Sequence, residues 1–302
     1  MIHERARVYR QIRAFFNTRG CLEVDTPLLM PATNTDLHID SIEVSSGGRR
    51  RYLQTSPEFA MKRLLAAGSG SIFQIGHAFR DGERGRRHNP EFSLLEWYRV
   101  GYDYHQLMDE VELLITSLSL RQCHFTRIRY KELFQQALDL DIDRATLTEL
   151  HAVVADRVAG AEPASLDADQ CLDLLLGAVI APGMRGYQFV YDYPLSQAAL
   201  ARVSAEDSSV AERFELFHDG LELANGFSEL TDPSQQRARF ESDNRKREQK
   251  GRQRLDLDER LLAALEHGLD DCAGVALGLD RLLMVLLELD SIEQVLTFCD
   301  DG

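Results

Sequence analysis

The fold is decided by the stretch FRDGERGRRHNPEFSLLEWY, which runs from Phe79 to Tyr98. Residues 71–79 are rich in Ile, Phe and Gln, and residues 91–98 alternate in character, so both segments are predicted strands. Successive side chains of a strand point to opposite faces. One face of the second strand therefore presents Phe92, Leu94, Glu96 and Tyr98.

An aromatic ring, a carboxylate and a phenol on one strand face suit a ligand that carries both a base and a cationic group. The loop between the strands adds four arginines, which are well suited to phosphates: Arg80, Arg84, Arg86 and Arg87. The alternative interpretation is an ordinary antiparallel hairpin with a solvated basic loop.

A second hairpin is predicted over residues 213–223, with its turn at either His218-Asp219 or Asp219-Gly220. Either turn brings Glu215 and Glu222 to the same side. Two neighbouring carboxylates repel each other, and a divalent cation that also binds phosphate would remove the repulsion. The pattern predicts a Mg²⁺ site, and a solvated pair of carboxylates is the alternative.

A glycine-rich strand is predicted before a helix near the C-terminus. Gly274, Ala276 and Gly278 share a face that is nearly bare of side chains, against which a flat ligand could lie. Close packing of the helix on the strand is the alternative. Arg281 falls in the first turn of the helix, where the helix dipole assists phosphate binding.

Composition limits the class of protein. The chain has 302 residues, a formal net charge of −15 and five scattered cysteines without metal-binding spacing. The acidic balance makes tRNA an unlikely main partner. The absence of a long apolar stretch argues against a membrane protein, and unpaired cysteines are typical of a cytoplasmic one. We expect one catalytic domain over residues 1–302, with a helical insertion at about 125–185.

Residues 79–98 resemble motif 2 of the class II aminoacyl-tRNA synthetases in its lysyl form, because an HNPEF run is followed at fixed spacing by Glu96 and Tyr98. The helix at 5–19 and the strand ending at Pro27 resemble motif 1, residues 274–281 resemble motif 3, and residues 222–230 resemble a lysyl-type segment. The resemblance implies an α+β fold, the class II aminoacyl-tRNA synthetase catalytic fold, with an antiparallel β-sheet flanked by helices.

The resemblance also assigns roles to individual residues. The catalytic arginines would be Arg80 and Arg281. The metal would be Mg²⁺ on Glu215 and Glu222. ATP would contact Arg80, Asp81, Gly82, Glu83, Arg87, His88, Asn89, Phe92, Glu222, Leu223, Gly278 and Arg281. The amino acid would contact Ser56, Pro57, Glu58, Glu96, Tyr98, Asn225, Glu229 and Ala276.

Two of these assignments need a further condition, the first because the sequence departs from the family motif and the second because the strand must be irregular. Gly82 stands where the family usually has glutamate, so Glu83 or backbone atoms would contact the adenine amino group. A bulge at Gly226 would bring Glu222 and Glu229 to the same site.

Within this family, the chain resembles the short lysyl-type ligases that modify elongation factor P. They lack the N-terminal anticodon-binding domain, and the chain begins at motif 1. Ala276 stands where lysyl-tRNA synthetases usually have glycine. The resemblance implies activation of lysine or β-lysine by ATP and transfer to a lysine of elongation factor P, by a homodimer that uses the motif 1 helix and strand. Three alternatives remain: a truncated tRNA ligase, an asparagine-synthetase-like ligase and an inactive regulatory paralogue.

Overall fold

The computed structural model of the chain describes residues 1–299. These divide into two compact units, one formed by Met1–Leu120 together with the chain from Ser228 onward, and the other by Arg121–Phe227. The predicted α+β class is confirmed, since each unit combines helices with a mainly antiparallel set of strands.

The first unit contains six helices and seven strands among the described residues. Its helices are α1 (Ile2–Asn17), α2 (Glu58–Ala66), α3 (Tyr104–Leu118), α7 (Pro233–Gln249), α8 (Glu259–His267) and α9 (Leu279–Leu286). Its strands are β1 (Leu22–Glu23), β2 (Leu29–Met30), β3 (Glu43–Ser46), β4 (Arg49–Leu53), β5 (Ile72–Phe79), β6 (Glu91–Val100) and β11 (Cys272–Gly278).

Strands β1, β5, β6 and β11 lie side by side in that order, and the β5–β6 and β6–β11 pairs are antiparallel. The pattern of residues 71–100 therefore predicted the two strands correctly. The centre of the core is aromatic: Phe16 of α1 stacks on Phe73 at 4.7 Å between ring centroids and contacts Trp97 at 5.2 Å. Burial of these large rings holds α1 against the face of β5 and β6.

In the first unit, an ion pair joins helix α1, near the N-terminus, to helix α9, near the C-terminus. Asp280, at the start of α9, is buried and accepts hydrogen bonds from Arg5 of α1 at 2.5 Å and from the Ser93 backbone N–H at 2.6 Å. Arg5 also donates to the Val295 carbonyl at 2.8 Å. A buried carboxylate is tolerated only with such partners, so Arg5 fixes the helix that carries Arg281.

The second unit contains β7 (Phe125–Arg129), α4 (Tyr130–Leu138), α5 (Leu147–Arg157), α6 (Ala168–Leu175), β8 (Tyr187–Pro194) and β9 (Val210–His218), and most of β10 (Leu221–Ser228). Strands β10, β9, β8 and β7 lie in that order. The three helices pack their apolar sides into one core that includes Phe134, Val154, Cys171 and Tyr193. The three helices lie between residues 130 and 175, and the unit that contains them runs from Arg121 to Phe227.

Two features of the helices bear on assembly and on the site. The apolar side of α1 is buried inside its own chain, since Val8, Ile12 and Phe16 are at most 1% exposed, so it is not available to the partner of the homodimer that the resemblance implies. Helix α2 begins at Glu58 with Pro57 as its N-cap. The Ser56 hydroxyl still accepts a hydrogen bond from the Glu58 N–H at 3.1 Å.

No helix in the part of the chain that the structure describes is both long and apolar enough to cross a membrane.

Candidate active site

A buried acidic cluster lies in the first unit, where α2, β6 and the residue after β10 meet. Its members are Glu58, Lys62, Glu96, Tyr98 and Glu229. The Lys62 ammonium lies 2.7 Å from Glu58 Oε1 and 2.5 Å from Glu229 Oε2. The Tyr98 hydroxyl donates to Glu96 Oε1 at 2.7 Å. The structure therefore brings together three carboxyl groups that were predicted to bind substrate, with a lysine that was not predicted.

Three buried carboxylate oxygens of this cluster, Glu96 Oε2 and both oxygens of Glu229, make no hydrogen bond of good geometry, and the two residues are 2% and 1% exposed. Glu229 Oε2 lies against the Lys62 ammonium, which leaves Glu96 Oε2 and Glu229 Oε1. A buried carboxylate oxygen without a donor costs free energy. Two such atoms in one cluster indicate a site for a ligand that brings N–H groups.

The register of β11 on β6 explains how the cluster is packed. Gly274 pairs with Tyr98, and Ala276 pairs with Glu96. A side chain at Gly274 would overlap the Tyr98 ring and the Glu229 carboxylate. At Gly274, the bare strand face that the sequence predicted is therefore covered by the Tyr98 and Glu229 side chains. Ala276 lies two residues further along the same strand and is only half-buried.

Burial shifts the protonation of the cluster. The pKa values of Glu96 and Glu229 are both raised to about 8, chiefly because the carboxylates are shielded from water and secondly because of neighbouring charges. Lys62 opposes the shift at both residues, and Glu58 adds to it. The pKa of Tyr98 is raised well above its usual value by burial and by the same carboxylates. The Ser56 hydroxyl favours the ionised form of Glu96.

The basic loop between β5 and β6 also lies in the first unit. The Arg80 guanidinium lies over the Phe92 ring, 5.1 Å from its centroid, and its Nη1 is 3.5 Å from Glu83 Oε1. Arg281 of α9 donates to the Arg87 carbonyl and lies 2.7 Å from His88 Nε2. Asn89 donates to the Glu91 carbonyl at 2.6 Å. The two predicted catalytic arginines are thus placed by an aromatic ring and a histidine.

The second predicted hairpin is present in the second unit. Leu221 pairs with His218, so the turn is Asp219-Gly220, the second of the two possibilities. Both turn residues have positive φ, 46° and 74°, as a tight hairpin turn requires. A side chain at Gly220 would overlap the Ala181 carbonyl, so only glycine fits.

A bulge changes the register of this hairpin between Glu222 and Ala224, and not at Gly226, which pairs regularly with Phe214. The expectation for Gly226 was therefore wrong. The bulge places Asn225 opposite Glu215. Leu223, the residue in the bulge, is buried. A bulge next to functional side chains is a common way to redirect them.

Arg213 links the polar residues of the hairpin. It donates to Glu215 Oε1 at 2.5 Å and to Asn225 Oδ1 at 3.2 Å. The pKa of Glu215 is nevertheless raised to about 7, chiefly by burial, with Glu222 adding to the increase. The negative charge of Glu222 therefore acts on Glu215 in the folded protein.

Sequence reasoning missed Lys62, Arg213 and Asp280. Lys62 lies four residues after Glu58, a spacing that places both side chains on one helix face. Arg213 lies two residues before Glu215, a spacing that places both on one strand face. These spacings were visible signals. Nothing in the sequence connected Asp280 with Arg5.

An α+β fold with a basic motif 2 loop, a motif 3 arginine and a buried acidic cluster defines a class II synthetase catalytic unit. The family described as tRNA synthetases class II (D, K and N) matches residues 1–302, and the chain belongs to this family.

Curated relatives are similar over almost their whole length. A Vibrio cholerae protein is 48% identical, with 98% of this chain and 94% of that protein covered. An Edwardsiella ictaluri protein is 47% identical, with 99% of this chain and 94% of that protein covered. A Yersinia enterocolitica protein is 46% identical, with 98% of this chain and 93% of that protein covered. All three are named elongation factor P–(R)-β-lysine ligase.

The acidic cluster predicts a pH dependence of stability. A carboxyl group whose pKa is raised on folding contributes stability in acid that is lost as pH rises from its unfolded pKa through its folded pKa, so the free energy of unfolding should fall between about pH 4.5 and about pH 8 and level off above that. The Glu96→Gln variant should lose part of this slope, because its amide does not ionise. Urea denaturation at several pH values measures the effect. The control is Glu91→Gln, at the exposed start of the same strand, and equal slopes for all three proteins would contradict the prediction.

Proposed function

We propose that the protein is an AMP-forming ligase that activates a lysine-type amino acid, (R)-β-lysine or lysine, and transfers it to the ε-amino group of a lysine on elongation factor P. The observation that carries the proposal is the buried cluster, in which three carboxyl groups surround a single lysine. Such an excess of negative charge suits a dibasic substrate. The names of the three relatives support both the amino acid and the acceptor.

The amino acid would bind with its ammonium groups on the cluster. Glu229 and Tyr98 would receive the side-chain ammonium, and Glu58, with Ser56 and Pro57 before it, would receive the backbone amino group. Glu96 holds the Tyr98 hydroxyl in place at 2.7 Å. Asn225 would donate a hydrogen bond from its amide N–H to the substrate carboxylate. Its amide is oriented for this role because Arg213 Nε donates to Asn225 Oδ1 at 3.2 Å.

ATP would bind at the basic loop. Phe92 and His88 would flank the adenine, while Asn89, Asp81, Gly82 and Glu83 would supply its polar contacts. Glu83 already contacts Arg80 at 3.5 Å. Arg80 would bridge the substrate carboxylate and the α-phosphate, and Arg281 and Arg87 would hold the distal phosphates. Gly278 and Leu223 would line the nucleotide.

The carboxylates of Glu215 and Glu222 fit Mg²⁺. They are hard oxygen donors, and Glu222 raises the pKa of Glu215, so a bound cation would relieve their repulsion. Among the described residues, no three or more Asp, Glu, His or Cys side chains are grouped so that they could hold a metal ion by themselves; Mg²⁺ commonly uses only one or two carboxylates beside water and phosphate. When bound, the ion would neutralise charge on ATP phosphates.

The proposed chemistry has two steps. The amino-acid carboxylate attacks the α-phosphorus of ATP, which forms an aminoacyl-adenylate and releases pyrophosphate. The acceptor lysine amine then attacks the acyl carbon, an amide forms, and AMP leaves. The protein contributes positioning and charge neutralisation, and no protein nucleophile is required. We place the reaction in the cytoplasm, which the free state of all five cysteines fits.

Amino-acid-dependent ATP–pyrophosphate exchange, followed by labelled transfer, tests the proposal. Exchange should occur with (R)-β-lysine and lysine and not with glutamate or leucine, and label should appear on elongation factor P. Glu222→Gln should lose exchange, whereas Glu206→Gln, an exposed glutamate in the same unit, should retain it. Label on tRNA in place of elongation factor P would favour the truncated tRNA ligase, and no exchange at all would favour the inactive paralogue.

Ala276 should contribute to the choice between the two lysines. Its methyl group lies on the strand beside Glu96, where it would contact the backbone of the amino acid. Ala276→Gly should raise the specificity constant for α-lysine relative to β-lysine by about 10–200-fold, the effect of about 1–3 kcal/mol for a methyl-sized change. Pyrophosphate exchange with each substrate measures the ratio. A ratio that stays constant or moves toward β-lysine would make Ala276 a packing residue.

A homodimer that uses the motif 1 strand, as the family resemblance implies, should form at micromolar concentration. Leu22, Leu28 and Leu29 are 57%, 43% and 42% exposed, so this segment leaves apolar surface uncovered, unlike α1. Sedimentation velocity should give twice the chain mass for the wild type and a single chain for Leu22→Glu/Leu28→Glu. Leu113→Glu, an exposed leucine on α3, is the control. A monomeric wild type would refute the dimer.

A further inference from the structure

Lys62 is a buried charge for which the proposed reaction has no role. Its side chain is 1% exposed, yet lysine is among the residues least often buried. An ammonium group loses its hydration on burial and is tolerated only beside opposite charge. The structure supplies two carboxylates, Glu58 Oε1 at 2.7 Å and Glu229 Oε2 at 2.5 Å.

The two partners come from different elements. Glu58 lies one turn before Lys62 on α2, and Glu229 follows β10, where its backbone N–H donates to the Cys272 carbonyl at 2.9 Å. One ammonium group therefore ties together the two carboxylates that would receive the two amino groups of the substrate. The remaining oxygen of Glu229 has no hydrogen-bond partner and is left to a ligand.

The charges that face Lys62 can be named element by element. Helix α2 supplies Glu58, β6 supplies Glu96 and Tyr98, the residue after β10 is Glu229, and β11 supplies the thiol of Cys272. Lys62 is the one cation of this set. Three carboxylates and one ammonium have a net charge of −2 when all are ionised, which matches the two ammonium groups of a dibasic amino acid.

We propose that Lys62 is a positioning residue that holds the Glu58 and Glu229 carboxyl groups in place and favours the ionised form of Glu229, so that a dibasic amino acid binds with a smaller loss of protons than it would without this lysine. This inference rests on the proposed function of the same site. It is supported by the pKa of Glu229, which burial raises and the Lys62 charge partly lowers, with a net value of about 8. Without Lys62, Glu229 would hold its proton more tightly and would have to release it before binding a cation.

Charge repulsion between Lys62 and a cationic ligand would have the opposite effect on binding. Removing a positive charge near a cationic ligand also removes repulsion, and on that basis a neutral residue 62 would bind lysine more tightly at every pH. The two effects differ in their dependence on pH, because the cost of deprotonation disappears once pH exceeds the pKa of the carboxyls.

Lys62→Met and Lys62→Gln test the proposal, the second retaining a hydrogen-bond donor without the charge. At pH 7 the KM for lysine in pyrophosphate exchange should rise about tenfold for each unit by which the pKa of Glu229 increases. The increase should shrink toward pH 9, while kcat and the KM for ATP should change little. Lys131→Met, which removes an exposed lysine 3.7 Å from Asp143, should behave as wild type.

Calorimetry in buffers of different ionisation enthalpy gives an independent measurement. The variants should release more protons than wild type when lysine binds at pH 9, because the wild-type Glu229 is already largely ionised at that pH. If neither variant folds, NMR of ¹⁵N-labelled lysine in the wild type serves, and the Lys62 Nζ should remain an ammonium through pH 9. A neutral Lys62, tighter lysine binding by the variants at pH 7, or an increase in KM that is equal at pH 7 and pH 9 would overturn the proposal. A wild type without lysine-dependent exchange would instead refute the proposed function.

Discussion

The structure of the first unit depends on the contacts that stabilise three buried carboxyl groups. Glu58, Glu96 and Glu229 converge where α2, β6 and the end of β10 meet, and their mutual repulsion would separate these elements if nothing opposed it. Lys62 and the Tyr98 hydroxyl oppose it with short contacts of 2.5–2.7 Å. The surrounding side chains, among them Met61, Leu65, Ile72 and Cys272, are apolar and buried, so the charges cannot be solvated. Short contacts to one ammonium and one hydroxyl therefore hold these elements together, and the proposed dibasic substrate would add further positive charge at the same place.

The sequence was sufficient for the elements that carry regular patterns. The alternation in residues 91–98 gave β6 and the shared face of Glu96 and Tyr98, and the spacing around Gly274 and Arg281 gave β11 and α9. These succeeded because strand and helix periodicities are local properties of the chain. Periodicity alone could not decide what lies against the apolar side of α1, because an apolar stripe shows that a surface is covered but not whether its own chain or a partner covers it.

Contacts between distant residues could not be predicted in this way. Arg5 and Asp280 are separated by 275 positions, and no periodicity relates them. The bulge between Glu222 and Ala224 is a similar case, because strict alternation has no means of locating an extra residue. A bulge was predicted at Gly226 because glycine adopts irregular backbone conformations easily, yet the bulge lies at Leu223, where there is no glycine. The assignment of Lys62 needed the three-dimensional position of Glu229, although its spacing from Glu58 was already visible.

The contact between Arg5 and Asp280 has a consequence for handling the protein. Asp280 precedes Arg281 on α9, so the orientation of the proposed phosphate-binding arginine depends on a residue only four positions from the first methionine. Shortened versions that remove the opening turn of α1 would leave the Asp280 carboxylate buried without its cation. An affinity tag is therefore better separated from Met1 by a flexible spacer, so that the first turn of the helix keeps its contacts.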